Sequence, residues 1–233
     1  MKRAFIVIAV LLLLAAGAFR LSKATTFQLF GEIVPRVDTD KRVVALTFDD
    51  GPSPEVREVL ATLAEKNVKA TFFLIGVQIS ENPEDAKAIV AAGHQVGNHS
   101  WQHDRMVLKS QAFIAREIEE TDKQIRKAGY QGEIEFRAPF GKKLVGLPWY
   151  LSRHHRRHIT WDVAPDSAPP GDGHTDRIIA SVLAETKPGS IILLHPQYKN
   201  RAATRAAIAP IIDGLRARGF TFLTIEQLLA LRK

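Results

Sequence analysis

The sequence predicts an α/β domain whose parallel strands close, or nearly close, into a barrel. Strand-like apolar runs alternate with helical patterns in roughly seven units over about 190 residues. No Gly-rich phosphate loop marks the switch point that an open doubly wound sheet would need. Polar residues also gather where the strand-like runs stop, the edge that builds the active site of α/β barrels.

The chain begins MKRAFIVIAVLLLLAAGAFR, with Lys2 and Arg3, an apolar run from Ala4 to Phe19, and then Arg20. A basic region before an apolar one, with Ala16-Gly17-Ala18 as a small-residue cleavage site, reads as a signal peptide. Bulky Phe19 and Arg20 just beyond that site keep an uncleaved membrane anchor open. Either way residues 1–20 predict export to a periplasmic or extracellular location, with anchoring to the inner membrane as the second form. Residues 21–41 read as a short lead-in and 42–233 as one domain.

Within that domain the expected strands are 43–48, 71–75, 95–97, 134–136, 158–161, 191–194 and 220–223. Helical spacing joins Val56, Val59, Leu60 and Leu63, and likewise Ile114, Ile118, Thr121 and Ile125. Ile178, Val182 and Leu183 repeat it, as do Ile208, Ile211, Ile212 and Leu215.

The composition narrows the function. Of 233 residues 45% are hydrophobic and 24% charged, which fits a folded domain and excludes a disordered one. Cysteine is absent, so disulfides and thiolate ligands are excluded, and a metal would need His, Asp or Glu. The net charge of +7 favours acidic polymers or anionic lipid as neighbours. No nucleic-acid motif accompanies it, so nucleic acid is not expected as a partner.

The stretch VVALTFDDGPSPE stops a hydrophobic strand in two adjacent carboxylates, Asp49 and Asp50. Like charges side by side repel and are costly to desolvate, so they read either as a solvated turn or as part of a metal site. NHSWQH supplies His99 and His103 at a spacing that lets two imidazoles converge on one ion. One carboxylate from the Asp pair completes a two-His, one-Asp set with an open position, the catalytic rather than the structural pattern. Such an ion lowers the pKa of its water to about 7. The other Asp is then free to take that water's proton. RAPFG places Arg137 at a strand end, where it can offset a carboxylate, and SIILLH ends an apolar strand in His195, a general-acid candidate. His94 reads as a structural histidine. The basic run RHHRRH, Arg153 to His158, reads as a solvated helix end or as the rim of an anionic-substrate site.

Together TFDDGPS, HSWQH, RAPFG, WDVAPD and ILLH resemble, in order, the motifs of the polysaccharide deacetylase (NodB-homology) family of carbohydrate esterases. The similarity runs from about Arg42 onward. It implies a distorted (β/α) barrel of about seven parallel strands and a hydrolase acting on the amide of an N-acetylated amino sugar. It implies Asp50, His99 and His103 as ligands of a divalent metal, usually zinc, with metal-bound water as nucleophile. Asp49 is then the base held by Arg137, and His195 the acid. Phe140 resembles the residue whose backbone N–H steadies the oxyanion, and Pro139 and Trp161 join it as expected substrate contacts. Where the family commonly has Asp-Trp, this chain has Asp166-Ser167. Asp166 is the expected orienting partner of His195, with Asp162 as runner-up, and Trp161 or Trp149 is left to fill the missing indole's space. An N-acetylated glycan is the expected substrate and a monomer the expected state. A deformylase or deacylase of a lipid-linked amino sugar, and a catalytically silent glycan-binding protein, are the alternatives.

Overall fold

The computed structural model of the chain describes residues 2–167 and 174–232. Helix α1 (Lys2–Lys23) is apolar on all sides and exposed along most of its length. Its 19-residue stretch Phe5–Lys23 is long and apolar enough to cross a membrane, spanning about 28 Å at the α-helical rise.

The lead-in that follows packs into the fold. Strand β1 (Ile33–Val34) comes from it, and Val34 and Val37 are buried. The Lys143 N–H donates to the Ser22 carbonyl, the Lys143 ammonium to the Ala24 carbonyl, and the Thr160 hydroxyl to the Thr25 carbonyl.

Four strands lie in parallel in the order β4 (Gln95–Asn98), β3 (Thr71–Leu74), β2 (Val43–Asp49), β6 (Ile191–Leu194). Strand β7 (Thr221–Leu223) pairs in parallel with the start of β2. Strand β5 (His158–Ile159) pairs in parallel with β1 as a separate pair. Single parallel bridges from Phe136 to Asn98 and His158, and from Val163 to Ile192, link the two groups into an interrupted ring. The expected strand at 134–136 is therefore reduced to one bridging residue. The chain leaves Phe136 into Arg137 and Pro139, and proline has no N–H with which to extend a ladder.

Strand β2 is buried on both faces, as a central parallel strand must be. Val44, Leu46 and Phe48 pack in one cluster with α2 (Val56–Glu65), α7 (Thr175–Glu185) and α8 (Ala202–Ala217). The alternate positions Ala45, Thr47 and Asp49 face the interior of the ring, where Ala45 meets Phe73 and Ile191. Helix α5 (Gln111–Lys127) buries Ile114, Ile118, Thr121 and Ile125, and Ser110 caps it by accepting from the Phe113 N–H at 3.2 Å. Four short helices go beyond the sequence expectation: α3 (Gly76–Glu81), α4 (Pro83–Ala91), α6 (Gly146–Arg153) and α9 (Ile225–Leu229). The first two are divided at Pro83, which sits at the first position of α4.

Candidate active site

Asp49 is the last residue of β2 and points inward, where the fully buried Arg137 guanidinium meets it. Arg137 Nη1 donates to Asp49 Oδ1 at 2.5 Å and to Thr47 Oγ1 at 2.9 Å. Its Nε and Nη2 donate to the carbonyls of Ile159 and Thr160, and its guanidinium lies 4.0 Å from the Phe73 ring centroid. A buried arginine is tolerable only with its charge and donors matched, and here they are.

Continuing the β2 alternation would send Asp50 outward to the helices. Instead its φ is +71°, a left-handed turn that brings its carboxylate back to the cleft. Gly51 follows with φ +72°, and a Cβ there would lie 2.0 Å from Gln197 Oε1. The Gln197 amide uses that space to donate to the Asp50 carbonyl at 2.5 Å. Ser100, His103 and Phe140 also have positive φ, so strained backbone is concentrated round the cleft.

His99 Nδ1 lies 2.8 Å from the Arg137 carbonyl, which can only accept. The proton is therefore on Nδ1, and the Nε2 lone pair faces Asp50 Oδ1 at 3.7 Å and Asp49 Oδ2 at 3.6 Å. Burial, then the charge of His103, lowers its pKa to about 3, so the ring is neutral. His103 Nε2 lies 3.2 Å from the same Asp50 oxygen. The loop carrying both is fixed by Glu117, which accepts from the N–H groups of Trp101 and Gln102.

Asp50, His99 and His103 each present a ligand atom within 4.8 Å of the others. Asp50 Oδ1 is buried and accepts no hydrogen bond. Such an oxygen is expensive to leave unpaired, and two imidazole nitrogens facing it make a donor set suited to a divalent cation. The three residues fit a metal.

Across the cleft His195 follows β6. Its Nδ1 lies 3.0 Å from Asp166 Oδ1, and its backbone N–H donates to Asp166 Oδ2 at 2.7 Å. The Thr204 hydroxyl and the His195 N–H share that second oxygen. Burial pulls the His195 pKa down, but the Asp166 hydrogen bond and charge, with Asp49 and Asp50 beyond, raise it to about 9. Asp166 is thus the carboxylate that meets both the ring and the backbone of His195. Asp162 instead accepts from the Ser190 hydroxyl and the Ile191 N–H, tying the chain before Val163 to β6.

The cleft holds about 340 Å³, and its walls include Phe140, Trp161, Ser167, Leu193 and Tyr198. Pro139 is buried and is not one of its lining residues. Trp161 stands against Gly141 on the cleft side, whereas Trp149 packs on Phe30 elsewhere. Tyr198 lines the cleft, where burial and then the Asp50 charge raise its pKa; neither motif nor periodicity pointed to it, and its one signal was lying three residues after His195. Arg201, also missed, donates to the Asp166 carbonyl at 3.2 Å.

His94 is structural, accepting from the Ala70 N–H and packing on Phe72. The 153–158 run is a solvated helix end in its first half, where Arg153 closes α6 and is exposed with His154 and His155, and none of the run lines this cleft. Arg156 pairs with Asp122, Arg157 with Glu133 and Glu135, and His158 is fully buried. His158 Nε2 accepts from the Ala138 N–H, so its Nδ1–H donates to Gln28 Oε1 at 3.0 Å.

A family model described as polysaccharide deacetylase matches residues 36–157. The chain is 36% identical over 207 residues to a chitooligosaccharide deacetylase of Sinorhizobium fredii, covering 83% of this chain and 95% of the relative. It is 34% identical over 202 residues to the peptidoglycan-N-acetylglucosamine deacetylase PgdA of Listeria monocytogenes, covering 84% of this chain and 40% of that longer protein. The solved Bc1960 peptidoglycan N-acetylglucosamine deacetylase superposes with a TM-score of 0.79 at 28% identity, over 85% of this chain and 93% of that one. A CE4 family pseudoenzyme from Bacillus anthracis gives 0.77 at 28% identity, over 90% and 71%. Fold, cleft and matches agree: the chain belongs to the polysaccharide deacetylase family and is a deacetylase-type hydrolase.

Proposed function

We propose that the chain is an exported hydrolase that removes N-acetyl groups from an amino-sugar glycan. Residues 1–20 serve as signal peptide or anchor and 42–233 as the catalytic domain, with 21–41 packed against it. Asp50, His99 and His103 hold a divalent cation, zinc by the match of two imidazoles and one carboxylate. When bound, it would polarise the acetyl carbonyl and supply a water of lowered pKa.

The chain's own groups divide the proton work. Arg137 occupies Asp49 Oδ1, so Oδ2 is the oxygen left to accept the proton of the attacking water. The C–O bond forms and the carbonyl oxygen becomes an oxyanion, toward which the Phe140 N–H donates. Asp166 holds Nδ1 of His195, so Nε2 faces the departing nitrogen. As the C–N bond breaks, His195 gives its proton to the amine, leaving the amino sugar and acetate. Phe140 and Trp161 offer flat faces to the sugar, with Pro139 shaping the loop beneath. The observation that carries this reading is the pairing itself. Asp49 and His195 are each clamped through one atom, with the other directed at the same space.

A second reading, deacylation or deformylation of a lipid-linked amino sugar, is favoured by α1 and its attachment to the domain. A silent glycan-binding protein is a third reading, and the structurally similar neighbours include a pseudoenzyme, but binding alone requires neither clamp. Acetate and formate release by the full chain separates the three. The panel is chitooligosaccharides, peptidoglycan fragments, poly-N-acetylglucosamine and a lipid-linked amino sugar. Acetate from a glycan supports the proposal, and formate from the lipid-linked sugar supports the second reading. Glycan binding without release of either acid would leave the silent one.

A further inference from the structure

Outside α1, the exposed large apolar side chains of the described residues lie on three segments, 27–30, 104–109 and 140–149, apart from Tyr198 in the cleft wall; they are Phe27, Leu29, Phe30, Leu108, Phe140, Val145 and Trp149. These segments adjoin. Phe30 and Trp149 meet edge-on at 5.3 Å, and Gln111, just past the second segment, donates to the Gly146 carbonyl at 3.0 Å. Arg105 lies over Phe140 at 5.1 Å. The surface then continues into the end of α1, because Lys142 and Lys23 lie 4.9 and 4.2 Å from the Phe19 ring centroid.

The charge on this surface is one-sided. Arg20, Lys23, Arg105, Lys109 and Lys142 lie within 19–30 and the two loop segments, against a single carboxylate, Asp104, which pairs with Lys109. Burial, with the neighbouring charges of Lys23 and Arg105, holds the Lys142 pKa below its ordinary value, so these cations converge. Aromatic and aliphatic side chains mixed with Lys and Arg, beside the end of a membrane-length helix, match the chemistry of a bilayer interface.

We propose that this face rests on the anionic phospholipid surface of the bilayer that α1 enters. Phe140 belongs both to this face and to the cleft wall, so the cleft opens at the level of the headgroups. The Lys143 bonds to Ser22 and Ala24 hold the helix end against the cleft loop, which fixes that orientation. The proposal rests on reading α1 as a retained anchor, and the two are separable by experiment.

The chain has no cysteine, so single nitroxide labels report single sites. Leu108→Cys, Val145→Cys, Leu12→Cys and Glu185→Cys are labelled in the full chain and reconstituted in vesicles of mixed phosphatidylglycerol and phosphatidylcholine. Labels at 108 and 145 should be shielded several-fold from an aqueous nickel reagent and open to oxygen, with 185 fully aqueous. Adding Arg105→Gln and Lys142→Gln, or using phosphatidylcholine alone, should reverse the shielding at 108 and 145 while 12 stays in hydrocarbon. If 108 and 145 are as aqueous as 185 while 12 reads hydrocarbon, the docking is wrong and the anchor stands. An aqueous label at 12 overturns both. Spin–spin broadening at 108 or 145 would show a second copy of the chain covering the face, and would also overturn the proposal.

Discussion

His99 and His195 occupy equivalent places on opposite sides of one cleft, each directly after a parallel strand. Burial pushes both pKa values down, yet His99 falls to about 3 and His195 rises to about 9. The difference lies mainly in what Nδ1 touches. For His99 it is the neutral Arg137 carbonyl, and the charge of His103 adds to burial. For His195 it is the buried Asp166 carboxylate, with Asp49 and Asp50 reinforcing the cationic form. In the proposed roles, one strand-end histidine is thereby kept neutral, as a ligand, and the other protonated, as a donor. The partner at Nδ1 sets the role.

Removing the donor should have the largest effect on this contrast. His195→Ala should lower kcat by about 10²- to 10⁴-fold, the usual span for a general acid, while leaving cation content unchanged. Acetate kinetics beside elemental analysis would check it. A smaller change makes His195 resemble His99. In Asp166→Asn the hydrogen bond can survive but the charge cannot, so burial should dominate and the His195 pKa should fall. The proton-donating form exists below the pKa and is lost as pH rises through it. The alkaline limb of the kcat/KM profile should therefore move to lower pH than in the parent. An unshifted limb would remove Asp166 as the cause. The smallest effect concerns the wall that the two histidines share. Ser167→Trp adds an aromatic face worth roughly 0.5–1.5 kcal/mol, so glycan affinity should change roughly three- to tenfold with cation content intact. Identical KM values across a glycan panel would mean that Trp161 already occupies that wall.

The sequence disclosed this cleft unevenly. Asp49, Asp50, His99, His103 and His195 were legible because each lies at or just past a strand end, where periodicity stops and a polar residue has no packing reason to follow. Arg137 was legible as a strand-end cation, although its strand is a single bridge at Phe136. Asp166 could be preferred over Asp162 only through the family pattern. Both aspartates accept hydrogen bonds at the β6 edge, and only coordinates separate a fold tie from a histidine partner. Tyr198 and Arg201 lie on the turn after His195, which has no periodicity to place them. The helices α3, α4, α6 and α9 have 5 to 9 residues each, too few for a 3.6-residue repeat to stand out. The role of 22–28 was hidden as well. Its contacts with Lys143, His158 and Thr160 reach across more than a hundred residues of sequence.

The proposed chemistry divides the work between two adjacent carboxylates, Asp49 at the end of β2 and Asp50 just past it. Its most direct test is divalent-cation content and acetate release measured side by side on Asp49→Asn and Asp50→Asn. Asp49→Asn should retain one cation per chain and lose most turnover, since it removes the proton acceptor and leaves Asp50, His99 and His103 in place. Asp50→Asn should lose the cation and turnover together. Loss of the cation from Asp49→Asn, with its retention in Asp50→Asn, would contradict the account by exchanging the two roles.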